Sequence, residues 1–96
     1  MKIKDRYKIG PFFYDIIKTS LLQEIGDEVD AGLSLKNTLK IFLDTQQAPE
    51  NQLSVLLHEV IEQFNDIYDI QLDHHQVTLL EVALYQFLVE NNLLAD

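Results

Sequence analysis

PENQLSVLLHEVIEQFNDIY, residues 49–68, is the stretch that decides the fold. Proline is well suited to the first helical position, because its missing N–H would have no partner there. Glu50 then sits in the first turn, where negative charge meets the positive end of the helix dipole. Leu53, Leu57, Val60, Phe64 and Ile67 follow at three- and four-residue spacing, the period of one helix face. The pattern predicts a helix from about Pro49 to Tyr68. On a wheel of ~100° per residue, Leu57, Val60, Ile61 and Phe64 point to the core, and His58 and Glu62 stack on its border.

Downstream, Ile70 to Asp73 reads as a short link, with Asp73 as the N-cap of a second helix. Val77, Leu80, Leu84, Phe87 and Leu88 form its stripe, over about His74 to Glu90. Upstream the chain changes character. Arg6–Ile9 precedes the turn signal Gly10-Pro11, and Phe12 to Ile17 is the aromatic and β-branched mixture that strands favour. Ser20 to Val29 is ambiguous, with Leu21, Leu22 and Ile25 able to form one helical turn before Gly26-Asp27. Leu33-Ser34-Leu35, Lys36-Asn37 and Thr38 to Leu43 read as a hairpin, with Leu39, Ile41 and Leu43 on one face. Strands first and helices afterwards predict an α+β domain. Residues 1–96 form one domain: a small antiparallel sheet of about three strands in 1–45, packed on two helices in 49–92.

Composition narrows the functions. The chain has 96 residues and no cysteine, so any metal is held by His, Asp or Glu. No apolar run approaches the length of a membrane span, and the charged N-terminus lacks the apolar stretch of a signal peptide. The absence of cysteine fits a cytoplasmic protein. A formal charge of −9 argues against direct nucleic-acid binding. Five of the seven basic residues fall in the first 18 positions, and none follows Lys40. That acidic second half reads as solvated surface, as a docking face for a basic partner, or as an attractor of cations.

His58-Glu59-Val60-Ile61-Glu62 is the sharpest chemical signal. A helix presents i and i+4 side chains together, which supplies two metal ligands on a rigid support. Glu59 is then available to take a proton from water activated by the ion, the logic of H-E-x-x-H hydrolases. Here the second histidine is replaced by Glu62, a legitimate oxygen ligand that alters the charge and softness of the site. A third ligand must come from elsewhere. His74 is favoured, since it shares the inward face with Val77 and Glu81; His75 and Glu81 are alternates.

Other chemistry is poorly supported. Tyr68 and Tyr85 can in principle stabilise an oxyanion, but aromatics at these spacings are more often core. Ser20, Ser34 and Ser54 have no adjacent histidine in sequence, and Gly10, Gly26 and Gly32 are too scattered to cradle a phosphate.

The order of features resembles a group of small phage and prophage zinc-metallopeptidase-like proteins, distantly similar to the ImmA/IrrE group. The likeness is carried by Tyr7-Lys8-Ile9-Gly10-Pro11-Phe12-Phe13-Tyr14, by Leu56-Leu57-His58-Glu59-Val60-Ile61, and by Leu72-Asp73-His74-His75-Gln76-Val77 with Ala83-Leu84-Tyr85-Gln86-Phe87-Leu88. It spans about residues 6–92. The resemblance implies a metal-dependent peptidase in a bacterial cytoplasm, with His58 as first ligand and Glu59 as general base. Glu62 stands where the family has its second histidine. His74 and His75 stand where the family offers acidic residues, so an exchange between helices would keep a mixed shell around a divalent ion, Zn2+ by expectation. The competing expectation is a non-enzymatic acidic interaction module that retains the fold. Such a module would bind an unidentified protein or peptide partner, as an inhibitor or as a mimic of nucleic-acid charge.

Overall fold

The computed structural model describes residues 2–20, 32–35 and 39–94, with the backbone alone for 32–35. The expected turn of helix at Leu21–Ile25 and the Lys36-Asn37 turn lie outside those residues. Four strands, β1 (Arg6–Ile9), β2 (Phe12–Thr19), β3 (Gly32–Leu35) and β4 (Lys40–Asp44), precede two helices, α1 (Pro49–Ile67) and α2 (His74–Glu90). The α+β class holds, and both helix starts fall where the sequence puts them.

The sheet differs in detail from the expected antiparallel one of about three strands. Among the described residues it has four strands, in the order β1-β2-β4-β3. β1–β2 and β3–β4 are antiparallel, as their hairpin patterns predict. β2 and β4 run parallel, with Ile16 beside Ile41 and Lys18 beside Leu43. Pairing between strands that are not neighbours in sequence leaves no turn signature. Nothing local could therefore have announced this mixed sheet.

Alternation along the two central strands builds the core. Tyr14 and Ile16 on β2, Ile41 and Leu43 on β4, and Ile9 on β1 are buried and meet Leu56 of α1. Leu53, Val60, Phe64 and Ile67 complete the helix face against them, half-buried. Leu39 leaves the expected stripe: it lies before β4 with φ +56° and is exposed. Phe12 and Phe13 are exposed on β2, where the Arg6 guanidinium sits 4.6 Å from the Phe13 ring centre.

The end of α1 is pinned from two sides. Gly10, at φ +60°, turns β1 into β2 against it, and a Cβ there would meet Tyr68 Oη at 3.2 Å and Ile67 Cδ1 at 3.3 Å. Beyond it, Asn65 clamps the interhelical link with two bonds: its Nδ2 donates to the Leu72 carbonyl and its Oδ1 accepts from the Leu72 N–H, at 3.0 and 2.9 Å. Asp73 then caps α2. Its carboxylate accepts from the Gln76 N–H at 2.8 Å, and the Gln76 side chain accepts from the Asp73 N–H at 2.9 Å. This reciprocal cap satisfies two amides that a helix start leaves free.

α2 packs on α1, and there the sequence stripe and the structure part company. Val77 is buried and Leu88 half-buried, but Leu80, Leu84 and Phe87 are exposed. The face turned to α1 carries Val77, Glu81, Tyr85 and Leu88, the buried and half-buried positions at helical spacing. Periodicity identifies apolar faces without saying which one a neighbour covers, and α2 has apolar residues almost all round. No helix among the described residues is long and apolar enough to cross a membrane.

Candidate metal centre

His58 lies at the middle of α1, on the side that meets α2. One turn later Glu62 brings Oε1 to 3.3 Å from His58 Nε2, as i, i+4 stacking requires. The clamp at Asn65 and the cap at Asp73 return the chain so that α2 begins beside Glu62. His74, its first residue, reaches over with Nδ1 3.8 Å from the same Glu62 oxygen. The His58 and His74 rings meet edge to face, with centroids 5.4 Å apart. One donor atom from each of His58, Glu62 and His74 lies within 4.8 Å of the other two, so the three can hold a metal ion.

Donor spacing supports this. A tetrahedral ion with ligands at ~2.0–2.2 Å places neighbouring donors ~3.3–3.6 Å apart. The His58 contact of Glu62, 3.3 Å, falls at the short end of that range, and the His74 contact, 3.8 Å, lies just beyond it. The histidine that must move to close the set is His74, whose side chain is 75% exposed and free to swing. His58 is the fixed member, with a side chain 16% exposed.

What fixes His58 is Glu81. From the facing side of α2 its Oε1 lies 3.1 Å from His58 Nδ1. A carboxylate can only accept, so Nδ1 donates in this bond, and Nε2 is the ring nitrogen turned to Glu62 and the other donors. The other oxygen of Glu81 accepts a short hydrogen bond from the Ser54 hydroxyl. Ser54, His58 and Glu62 thus occupy three successive turns of α1. Glu81 binds the first two from across the interface. A carboxylate behind a histidine, orienting the ring and raising its basicity, is the usual arrangement behind metal-ligating imidazoles.

Glu81, an alternate ligand by sequence, therefore acts behind His58 in this geometry. Ser54 has no adjacent histidine in sequence; the signal that places it here is the four-residue step to His58. Its hydroxyl donates to Glu81 and not to the imidazole, so Ser54 is not activated by His58. Glu59 is buried, 5% exposed, about 100° round α1 from His58, and does not belong to the His58–Glu62–His74 group. His75 is exposed.

Beside Glu62 opens a groove of about 380 Å³, lined by Glu62, Asp66 and Asp69 together with Gln63, Asn65 and Val77 among others. Its carboxylates face no lysine or arginine from their own half of the chain. Gln63 of this lining accepts a hydrogen bond at Oε1 from the Tyr14 hydroxyl, at 3.0 Å. Burial, and secondarily the negative charge of Asp66, raise the Tyr14 pKa above the ordinary phenol value.

No protein-family model matches the chain, and neither a curated protein nor a solved structure matches it.

Proposed function

We propose that this protein is a zinc-binding, metallopeptidase-like domain of the phage type, in which His58, Glu62 and His74 hold the ion. One observation carries the reading: three metal-competent donors from two helices converge on one point, and the most buried of them is oriented by a carboxylate. Two imidazoles and one carboxylate form a ligand set found in catalytic zinc sites, which keep a fourth position for water. With no cysteine in the chain the donors are nitrogen and oxygen, a set that takes zinc among the divalent first-row ions.

A divalent ion there would supply Lewis acidity and lower the pKa of a water at the site. The chain's own part is then to hold and to orient. Glu81 keeps the His58 ring in place, Glu62 contributes negative charge, and exposed His74 closes the set from the solvent side. Glu59, the proton acceptor by motif, is buried away from the three donors and so is not given that role by the geometry; the groove beside Glu62 is assigned as the space for substrate. A location in a bacterial cytoplasm belongs to the same reading, supported by the cysteine-free sequence.

A second reading, an acidic interaction module that retains the fold, is favoured by the run of exposed apolar residues on α2. The first experiment is metal analysis of untagged protein purified without chelator, beside His58→Ala. Near-stoichiometric zinc in the wild type, lost in the variant, supports the metal reading and licenses a peptide-hydrolysis screen with Glu59→Gln as control. No bound metal, and no stabilisation by added zinc, overturns it in favour of the interaction module.

A further inference from the structure

We propose that a groove at the opposite end of the helix pair from the metal centre binds a linear aliphatic carboxylate, of the chemistry of a medium-chain fatty acid. The groove has a volume of about 570 Å³ and lies where Lys2 and Ile3, the end of β2, the start of α1 and the end of α2 come together. Ile3, Leu53, Val89 and Leu94 give it apolar walls, and Lys2, Lys18 and Tyr85 add polar groups. None of these residues belongs to the His58–Glu62–His74 group, so the inference does not depend on a metal.

Lys18 is the telling residue. Side chains alternate across a strand, so Lys18 shares the face of β2 that carries the buried Tyr14 and Ile16. That is the face the helices cover, and at its end an ammonium group stands where the two preceding positions hold core side chains. Lys2 lines the same groove. Glu50 lines it too, yet among the described residues neither lysine forms an ion pair with it or with any other carboxylate. The hydroxyl of half-buried Tyr85 likewise has no hydrogen-bond partner among the described residues. Two cations and a hydroxyl donor on one groove suit a carboxylate, which only accepts. The location is selective, because the chain carries −9 overall and no lysine or arginine follows Lys40. An anion is repelled by most of this surface and attracted here.

The apolar walls define the rest of the ligand. Leu53 and Leu94 also border a second cleft of about 200 Å³ between β1 and α1, where Ile9, Leu56, Val60 and Phe64 are among the lining residues. An apolar cavity of ~150 Å³ is enough to accept benzene. The cleft therefore has room for the end of an alkyl chain that lies along the groove and passes Leu53 and Leu94. A free acid fits better than a bilayer. The apolar surface is recessed between elements, and a chain of net charge −9 is repelled by anionic lipid.

Titration calorimetry of the full chain with sodium octanoate tests this, near pH 7, where the acid is ionised, and in chelator, so that the metal centre plays no part. The expected result is saturable binding of one octanoate per chain. Affinity should rise about two- to four-fold per methylene from butanoate to octanoate. The uncharged 1-octanol should bind about ten-fold more weakly than octanoate, and Lys2→Glu combined with Lys18→Glu should cost octanoate about ten-fold while leaving 1-octanol unchanged. Both lysines are exposed, so the double variant should keep the far-UV spectrum and unfolding midpoint of the wild type. Absence of saturable binding, equal affinity for acid and alcohol, or octanoate binding unchanged in the double variant would each overturn the inference. Partition of the wild type onto phosphatidylglycerol vesicles without uptake of octanoate would also overturn it and reassign the groove to a lipid surface.

Discussion

Replacing Glu81 with glutamine separates a positioning role from a ligand role at the metal centre. The amide would keep the size of the side chain and one acceptor oxygen, while removing the charge that supports His58 from 3.1 Å. Loss of such a partner weakens metal affinity about 10- to 100-fold. At free zinc near 100 times the wild-type Kd, binding stabilises the fold by ~2.7 kcal/mol. After a ten-fold loss the same zinc contributes ~1.4 kcal/mol, and after a hundred-fold loss ~0.4 kcal/mol. For a domain of this size 1 kcal/mol corresponds to ~4–8 °C in Tm. Zinc should therefore raise the wild-type Tm by roughly 10–20 °C and that of Glu81→Gln by roughly 2–11 °C. Thermal scans with chelator and with zinc measure both, and the chelated scans isolate the metal-free cost of losing one charge-assisted bond. Equal zinc shifts in the two proteins would refute the orienting role. Complete loss of the shift, as expected for His58→Ala, would make Glu81 a ligand and refute the assignment in another way.

His74→Ala should weaken zinc binding by titration calorimetry while His75→Ala leaves it unchanged, because Glu62 is in reach of the first histidine only; the opposite order would reassign the third ligand. Leu43→Ala, at a fully buried position of β4, should cost about 2–5 kcal/mol in urea unfolding, against a small effect for Leu39→Ala; similar costs for both would place the core elsewhere. Tyr14 has a pKa raised above 10.0 in the folded state, by burial first and by Asp66 second. An unfolded chain would ionise it sooner, so its contribution is present below pH ~10 and is lost as pH rises from there through the raised folded value. A tyrosinate absorbance titration should show one of the four tyrosines ionising last, absent in Tyr14→Phe; simultaneous titration of all four in the folded protein would contradict this.

Much of this architecture is written locally. Pro49 and Glu50 mark the start of α1, Asp73 with Gln76 marks that of α2, and both signals work through amides within a few residues of themselves. The alternation Ile41–Leu43 and the turn at Gly10-Pro11 are equally short-ranged. His58 and Glu62 had to be adjacent once α1 was a helix, because i and i+4 share a face in any helix. These properties depend on covalent spacing and the helical period alone.

The rest depends on how elements meet. The parallel pairing of β2 with β4 joins segments far apart in sequence. The choice of Leu56 rather than Leu57 as the buried leucine of α1 reflects the rotation of that helix over the sheet. Glu81 changed from one carboxylate among 16 acidic residues to the partner of His58 and Ser54 through the rotation of α2 against α1. That rotation also left Leu80, Leu84 and Phe87 outside. Sequence by itself determined which residues can form a helix, a strand, a cap and a two-ligand step, since each is a matter of local geometry. Tertiary structure decided which carboxylate stands behind the histidine and which apolar face lacks a cover, since relative rotation of packed elements is set by the sum of many contacts and by none of the local patterns.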